Sequence, residues 1–127
     1  MRVARILIID DDKPLREMLL DALAEAGHTA VGAANGLDAV KLFRANPADL
    51  IVTDIMMPYD GLSMIRILHG EFPQLGIIAM SGGGPHRLDY ARSLGAHRTL
   101  TKPFTTQELT LAIAEVLAAQ NPPKPDA

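Results

Sequence analysis

The sequence predicts an α/β fold, a doubly wound five-stranded parallel sheet with five helices, on three observations. Short apolar runs without a period, such as Ile6-Leu7-Ile8-Ile9, alternate along the chain with segments whose apolar residues recur at helical spacing. Those runs have no polar side, which suits strands covered by helices on both faces. Acidic, hydroxyl or basic residues (Asp10, Asp54, Ser81, Lys102) stand at or just after the ends of four runs, where open α/β sheets bind their ligands.

The elements follow in order. Arg5 to Ile9 is a strand. Lys13-Pro14 then opens a helix, because proline in a first turn has no hydrogen bond to lose. Leu15, Met18, Leu19 and Leu23 repeat at helical spacing, and Gly27 ends the segment. "HTAVGAA" reads as a weak strand at an edge, and Gly36 to Ala45 as a helix that buries Val40 and Phe43 before Asn46-Pro47 stops it.

"ADLIVTD" is the second strong strand and ends at Asp54. The turn-rich "IMMPYDG" leads to a helix around Leu62, Ile65 and Leu68 that stops at "EFP". "GIIAMS" is a third apolar strand, ending at Ser81; "GGGP" is a loop, His86 to Leu94 a helix, and "RTLT" a short strand ending at Lys102-Pro103. Thr105 and Glu108 have capping-box spacing for a last helix with the apolar stripe Leu109, Ala112, Ile113, Val116 and Leu117. Composition therefore predicts one folded domain over residues 1–119 and a polar, proline-rich tail over 120–127.

Composition narrows the chemistry. A chain of 127 residues holds one domain of ordinary size. No run approaches the ~20 apolar residues of a membrane span, and the N-terminus runs into aspartates rather than a signal-peptide cleavage site, so a cytoplasmic protein with no membrane partner is expected. Zero cysteines exclude disulfides and thiolate chemistry within the sequence. Fifteen acids against 12 bases, with no basic block, argue against direct contact with nucleic acid. His28, His69, His86 and His97 lack metal-ligand spacing and read as packing or surface residues, and Met56, Met57, Met64 and Met80 as core or loop residues.

In the flavodoxin-like strand order 2-1-3-4-5, the first and third strands are neighbours and Asp10, Asp11 and Asp54 converge. Their repulsion, on the order of a few kcal/mol per close pair, calls for a cation or a proton. A hard divalent ion fits a donor set without imidazole or thiolate, Mg²⁺ above all with Mn²⁺ as its substitute. Such a site suits phosphoryl transfer: Asp54 can attack phosphorus, Lys102 and the metal can balance the equatorial oxygens, and Ser81 can donate a hydrogen bond. Each of these residues alone is ordinary, a helix-start acid, a turn aspartate, a cap or a surface charge; their joint placement on one rim sets them apart.

The segments "IDDD" at 9–12, "DIMMPYDG" at 54–61, "IIAMS" at 77–81 and "LTKPF" at 100–104 closely resemble the receiver domain of two-component response regulators, in order and spacing from about Arg5 to Leu117. The resemblance implies a single-domain, chemotaxis-regulator-like phosphoacceptor, not an enzyme beyond its own phosphorylation and dephosphorylation. Asp54 would accept phosphate from a sensor histidine kinase, a phosphotransfer protein or a small phosphodonor. Mg²⁺ would be held by Asp11 and Asp54, by Asp10 through a water, and by the Met56 backbone carbonyl. Ser81 matches the switch hydroxyl, Lys102 the lysine that contacts the phosphoryl group, and Pro103 a cis-proline. Thr99 stands where the family usually has an aromatic switch residue, so signalling would rest on Ser81 and the following loop. Gly83 and Met56 fall where family members tune loss of the phosphoryl group, and neither side chain can orient a water. Asp12 has no counterpart in the acidic pair and reads as a helix cap. Output would go to a downstream protein target, from a monomer or weak homodimer.

Two other readings compete. A small Mg²⁺-dependent phosphatase resembling the haloacid dehalogenase family would use Asp10 as nucleophile and Asp12 as acid/base, but Lys13-Pro14 breaks its motif. A flavin binder would need a phosphate-binding loop where the first strand instead runs into acids. "AMSGG" carries Ala79 where a hydrolase nucleophile elbow needs glycine.

Overall fold

The computed structural model describes residues 3–55, 61–82 and 85–120. The element order is β1 (Arg5–Ile9), α1 (Lys13–Glu25), β2 (Thr29–Ala33), α2 (Gly36–Ala45), β3 (Leu50–Asp54), α3 (Gly61–Glu71), β4 (Gly76–Ser81), α4 (Pro85–Leu94), β5 (Arg98–Thr101) and α5 (Thr106–Gln120). All pairings are parallel and the sheet order is β2-β1-β3-β4-β5, the predicted doubly wound arrangement. Crossovers of one hand from β1 toward β2 and from β3 toward β5 place the helices on both faces and open a crevice where the direction reverses, between β1 and β3.

Alternation along the strands divides the interior into two cores. Leu7 and Ile9 of β1, Ile51 of β3 and Ile77 and Ala79 of β4 meet the helix layer that contributes Phe43, Ile65, Leu68 and Ala91. Ile6 and Ile8, Leu50 and Val52, and Ile78 and Met80 meet the α1 and α5 layer through Leu19, Leu23, Ile113 and Val116. Every strand residue named is at least 98% buried, and each large side chain withdrawn from water contributes about 1.5–3 kcal/mol. The central strands are apolar up to their polar ends because neither of their faces meets solvent.

Helix starts are fixed by side chains. Asp12 Oδ1 accepts the Leu15 N–H at 3.2 Å, Asn35 Oδ1 the Asp38 N–H at 2.9 Å, and Thr105 Oγ1 the Glu108 N–H at 3.0 Å. At the other end of the sheet, a Cβ on Gly76 would stand 2.7 Å from Val116 Cγ1, so glycine is what lets α5 lie close on β4.

The structure departs from the periodicity at two places. Met18, at helical spacing with the α1 stripe, is 50% exposed, because the buried line runs through Leu19 and Leu23 and leaves Met18 beside an apolar cleft with Leu15 and Phe104. Gln120, grouped by composition with the tail, is the last residue of α5, and its amide donates to the Asp49 and Gln74 carbonyls, both at 2.6 Å. Met64 and Met80 are core residues, and His28 and His97 accept backbone N–H groups of Ala4 and Ile77 through Nδ1. The expected loops at 56–60 and 83–84, and the tail from 121 on, lie outside the described residues. No described helix is long and apolar enough to cross a membrane.

Candidate functional site

Four strand ends build the site. Asp10 follows β1, Asp54 and Ser81 close β3 and β4, and Lys102 follows β5. The register sets Asp54 beside Met80 and Ser81 beside Thr101, and the Lys102 N–H donates to the Ser81 carbonyl at 2.9 Å. Residues far apart in sequence thus reach one rim because the sheet aligns its carboxyl ends.

The Lys102 ammonium joins the acids. Nζ lies 2.8 Å from Asp10 Oδ2 and 2.9 Å from Asp54 Oδ2. Asp10 is fully buried and Asp54 is 5% exposed, so these are charge-assisted bonds in a setting of low water access. The second oxygen of Asp10, Oδ1, accepts the Asp12 N–H at 2.9 Å. Burial raises the Asp10 pKa, the Lys102 and Asp12 hydrogen bonds oppose it, and the Asp54 charge adds to it. Burial alone would lower the Lys102 pKa, but its bonds to Asp10 and Asp54, with their charges, outweigh that and hold it above the ordinary lysine value.

Each of the three consecutive aspartates has its own place. Asp10 is sealed beneath Lys102, Asp11 is exposed above the rim, and Asp12 caps α1. Carboxylate oxygens of Asp10, Asp11 and Asp54 lie within 4.8 Å of one another. One ammonium cannot neutralise three acids, and the remaining donor set, oxygen only, fits a hard divalent cation.

Of the other sequence-predicted residues, Ser81 is fully buried at the end of β4. Thr99 lies on β5 opposite Ala79, and its Oγ1 accepts a hydrogen bond from Arg92 of α4 at 3.1 Å. The Lys102–Pro103 bond is cis. Met56 and Gly83 lie outside the described residues. Two participants escaped the sequence reading: Thr53, whose buried hydroxyl donates to the Asp54 carbonyl at 3.1 Å, and Arg16, whose Nη1 donates to the Asp10 carbonyl at 2.7 Å. No local pattern marks Arg16, whose half-buried stem lies against Gly32 of the distant β2.

Comparison with known proteins agrees with this geometry. The family model for the response regulator receiver domain matches residues 6–114. The chain is 34% identical over 125 residues to the DNA-binding transcriptional regulator NtrC of Azospirillum brasilense, covering 97% of this chain and 26% of that protein. It is 33% identical over 120 residues to the response regulator MprA of Mycobacterium sp. (strain KMS), covering 93% and 52% respectively. It therefore spans between about a quarter and a half of these relatives. Among solved structures, a response regulator receiver domain protein from Clostridium thermocellum superposes with a TM-score of 0.86 at 27% identity, covering 93% of this chain and 97% of that one. A match over most of the length, with this strand order and this rim, places the chain in the response regulator receiver domain family.

Proposed function

We propose that the chain is a phosphoacceptor switch in which Asp54 takes a phosphoryl group from a histidine kinase or a phosphotransfer protein, in the cytoplasm and in a Mg²⁺-dependent reaction. The observation that carries the reading is the Lys102 ammonium held at 2.8 and 2.9 Å between two buried carboxylates from different strands. That arrangement keeps a cation beside the nucleophile before any phosphate arrives, so little reorganisation is needed as charge develops.

An Asp54 oxygen attacks phosphorus in line, the donor's P–N bond breaks, and its electron pair returns to the imidazole nitrogen. Lys102 moves its hydrogen bonds toward the phosphoryl oxygens, and the Ser81 hydroxyl donates to one of them. Asp11, with Asp10 and Asp54, would hold Mg²⁺ (or Mn²⁺), whose chemistry here is to neutralise the acids and the transferred oxygens. The Met56 carbonyl completes the proposed ligand set, and Thr99, bonded to Arg92, ties β5 to α4 where other receivers carry an aromatic switch. Neither Met56 nor Gly83 has a side chain that orients water, so the phosphoryl group outlasts seconds at neutral pH. The marked form is read by a downstream protein through contacts of a monomer or weak homodimer.

The phosphatase alternative has no structural support: Asp10 is sealed from solvent, with Oδ1 on the Asp12 N–H and Oδ2 on Lys102. Incubation with acetyl phosphate and Mg²⁺, followed by intact mass and peptide mapping, tests the proposal. One phosphoryl group on Asp54, lost in Asp54→Asn and on chelation of the metal, is expected. Label on Asp10 with multiple turnover would refute it.

A further inference from the structure

Asp10 is gripped through its main chain as well as its carboxylate. Its N–H donates to the Ala33 carbonyl at 3.1 Å, and its own carbonyl, one residue beyond the last β1 ladder pair with β3, accepts Arg16 Nη1 at 2.7 Å. A carbonyl at that point has no strand partner to continue the ladder, and a guanidinium supplies a charge-assisted donor in its place. Arg16 is half-buried in the first turns of α1, and its stem crosses the edge strand β2. The crossing depends on a missing side chain. A Cβ on Gly32 would stand 2.9 Å from Arg16 Cδ, 3.1 Å from Cγ and 3.2 Å from Leu20 Cδ1.

The carbonyl that Arg16 holds belongs to the peptide joining Asp10 to Asp11. Fixing that peptide fixes the direction in which Asp11 leaves the strand, and so whether its carboxylate reaches Asp10 and Asp54. We propose that Arg16, seated in the space left by Gly32, is a positioning residue of the acidic site, orienting the Asp10–Asp11 peptide so that three carboxylates converge on one cation. The inference rests on the reading of this rim as the Mg²⁺-assisted phosphoacceptor site.

The test is Mg²⁺ titration of the full chain, followed by backbone amide shifts of Asp11 and Asp12, for wild type, Arg16→Lys, Arg16→Met, Gly32→Ala, Arg16→Ala and the Arg16→Ala/Gly32→Ala pair. Urea unfolding without metal is run alongside. Arg16→Met is expected to weaken Mg²⁺ about tenfold or more, the usual size for loss of a group that orients a ligand, with partial rescue in Arg16→Lys. Gly32→Ala, which leaves every charge in place, should also weaken Mg²⁺, and should do nothing further once Arg16 is already alanine, a non-additivity that a general loss of stability does not produce. Unchanged Mg²⁺ affinity in Arg16→Met, or a Gly32→Ala effect of the same size with and without Arg16, overturns the inference while leaving the switch intact. Wild type that neither binds Mg²⁺ nor takes phosphate on Asp54 overturns both.

Discussion

The two ends of the sheet handle buried polarity in opposite ways. At the amino end, most partners are neutral: the Gln120 amide donates to the Asp49 and Gln74 carbonyls, and His97 Nδ1 accepts the Ile77 N–H. The Asp49 carboxylate there takes the Arg5 N–H at 2.9 Å, and around it Phe43 and Phe72 pack edge to face beside a cavity of about 400 Å³. At the carboxyl end, three acids cluster and one ammonium bonds two of them, Asp10 and Asp54. The same backbone register that closes one end with neutral bonds collects unbalanced charge at the other. The cavity of about 400 Å³ therefore does not lie where the acids cluster.

Breaking the charged end has the largest effect expected. Lys102→Met leaves Asp10 and Asp54 buried without their cation, and should cost about 3–5 kcal/mol in urea unfolding at neutral pH without metal. Adding Asp54→Asn should restore much of that loss, because it removes one of the two stranded charges. At the amino end, Gln120→Ala should cost about 1–3 kcal/mol, since the Gln74 and Asp49 carbonyls lose the amide's bonds, the Asp49 carbonyl keeping the Gly76 N–H, and the proposed phosphorylation of Asp54 should run at the wild-type rate. An altered rate would mean that the two ends are not independent.

The smallest effect concerns pH. Burial lowers the His97 pKa from its ordinary 6.5, with the His69 charge adding to it, and an Nδ1 that accepts an N–H has no room for a proton. A base with a depressed folded pKa takes up fewer protons folded than unfolded, so its stabilising contribution is lost as pH falls below about 6.5. The urea midpoint should drop on acidification through that window, and less so in His97→Asn. Lys102 runs the other way: its folded pKa is raised above 10.5, so its contribution is present at neutral pH and lost only as pH rises beyond that value.

Much of this was legible in the sequence. Apolar runs gave the strands, spacing gave the stripe Leu109 to Leu117, and strand-end residues gave the rim, because each is a local pattern that the doubly wound topology aligns. What stayed hidden depends on distant chain. Gln120 looks like tail until Asp49 and Gln74 come beneath it. Arg16 looks like an exposed helix residue until β2 passes under its stem with a glycine at the crossing. Met18 has the right spacing but falls just off the buried line, a distinction of one side-chain direction that periodicity does not resolve.

Lys102 follows β5, a strand of four residues at the border of the sheet, laddered only to β4. Displacing such a strand breaks hydrogen bonds along one side, whereas displacing β3 would break them along both. Were Asp54 to gain the proposed phosphoryl charge, the cation facing it would stand beside the strand with fewer ladder partners, and the less costly displacement would lie at the perimeter of the sheet.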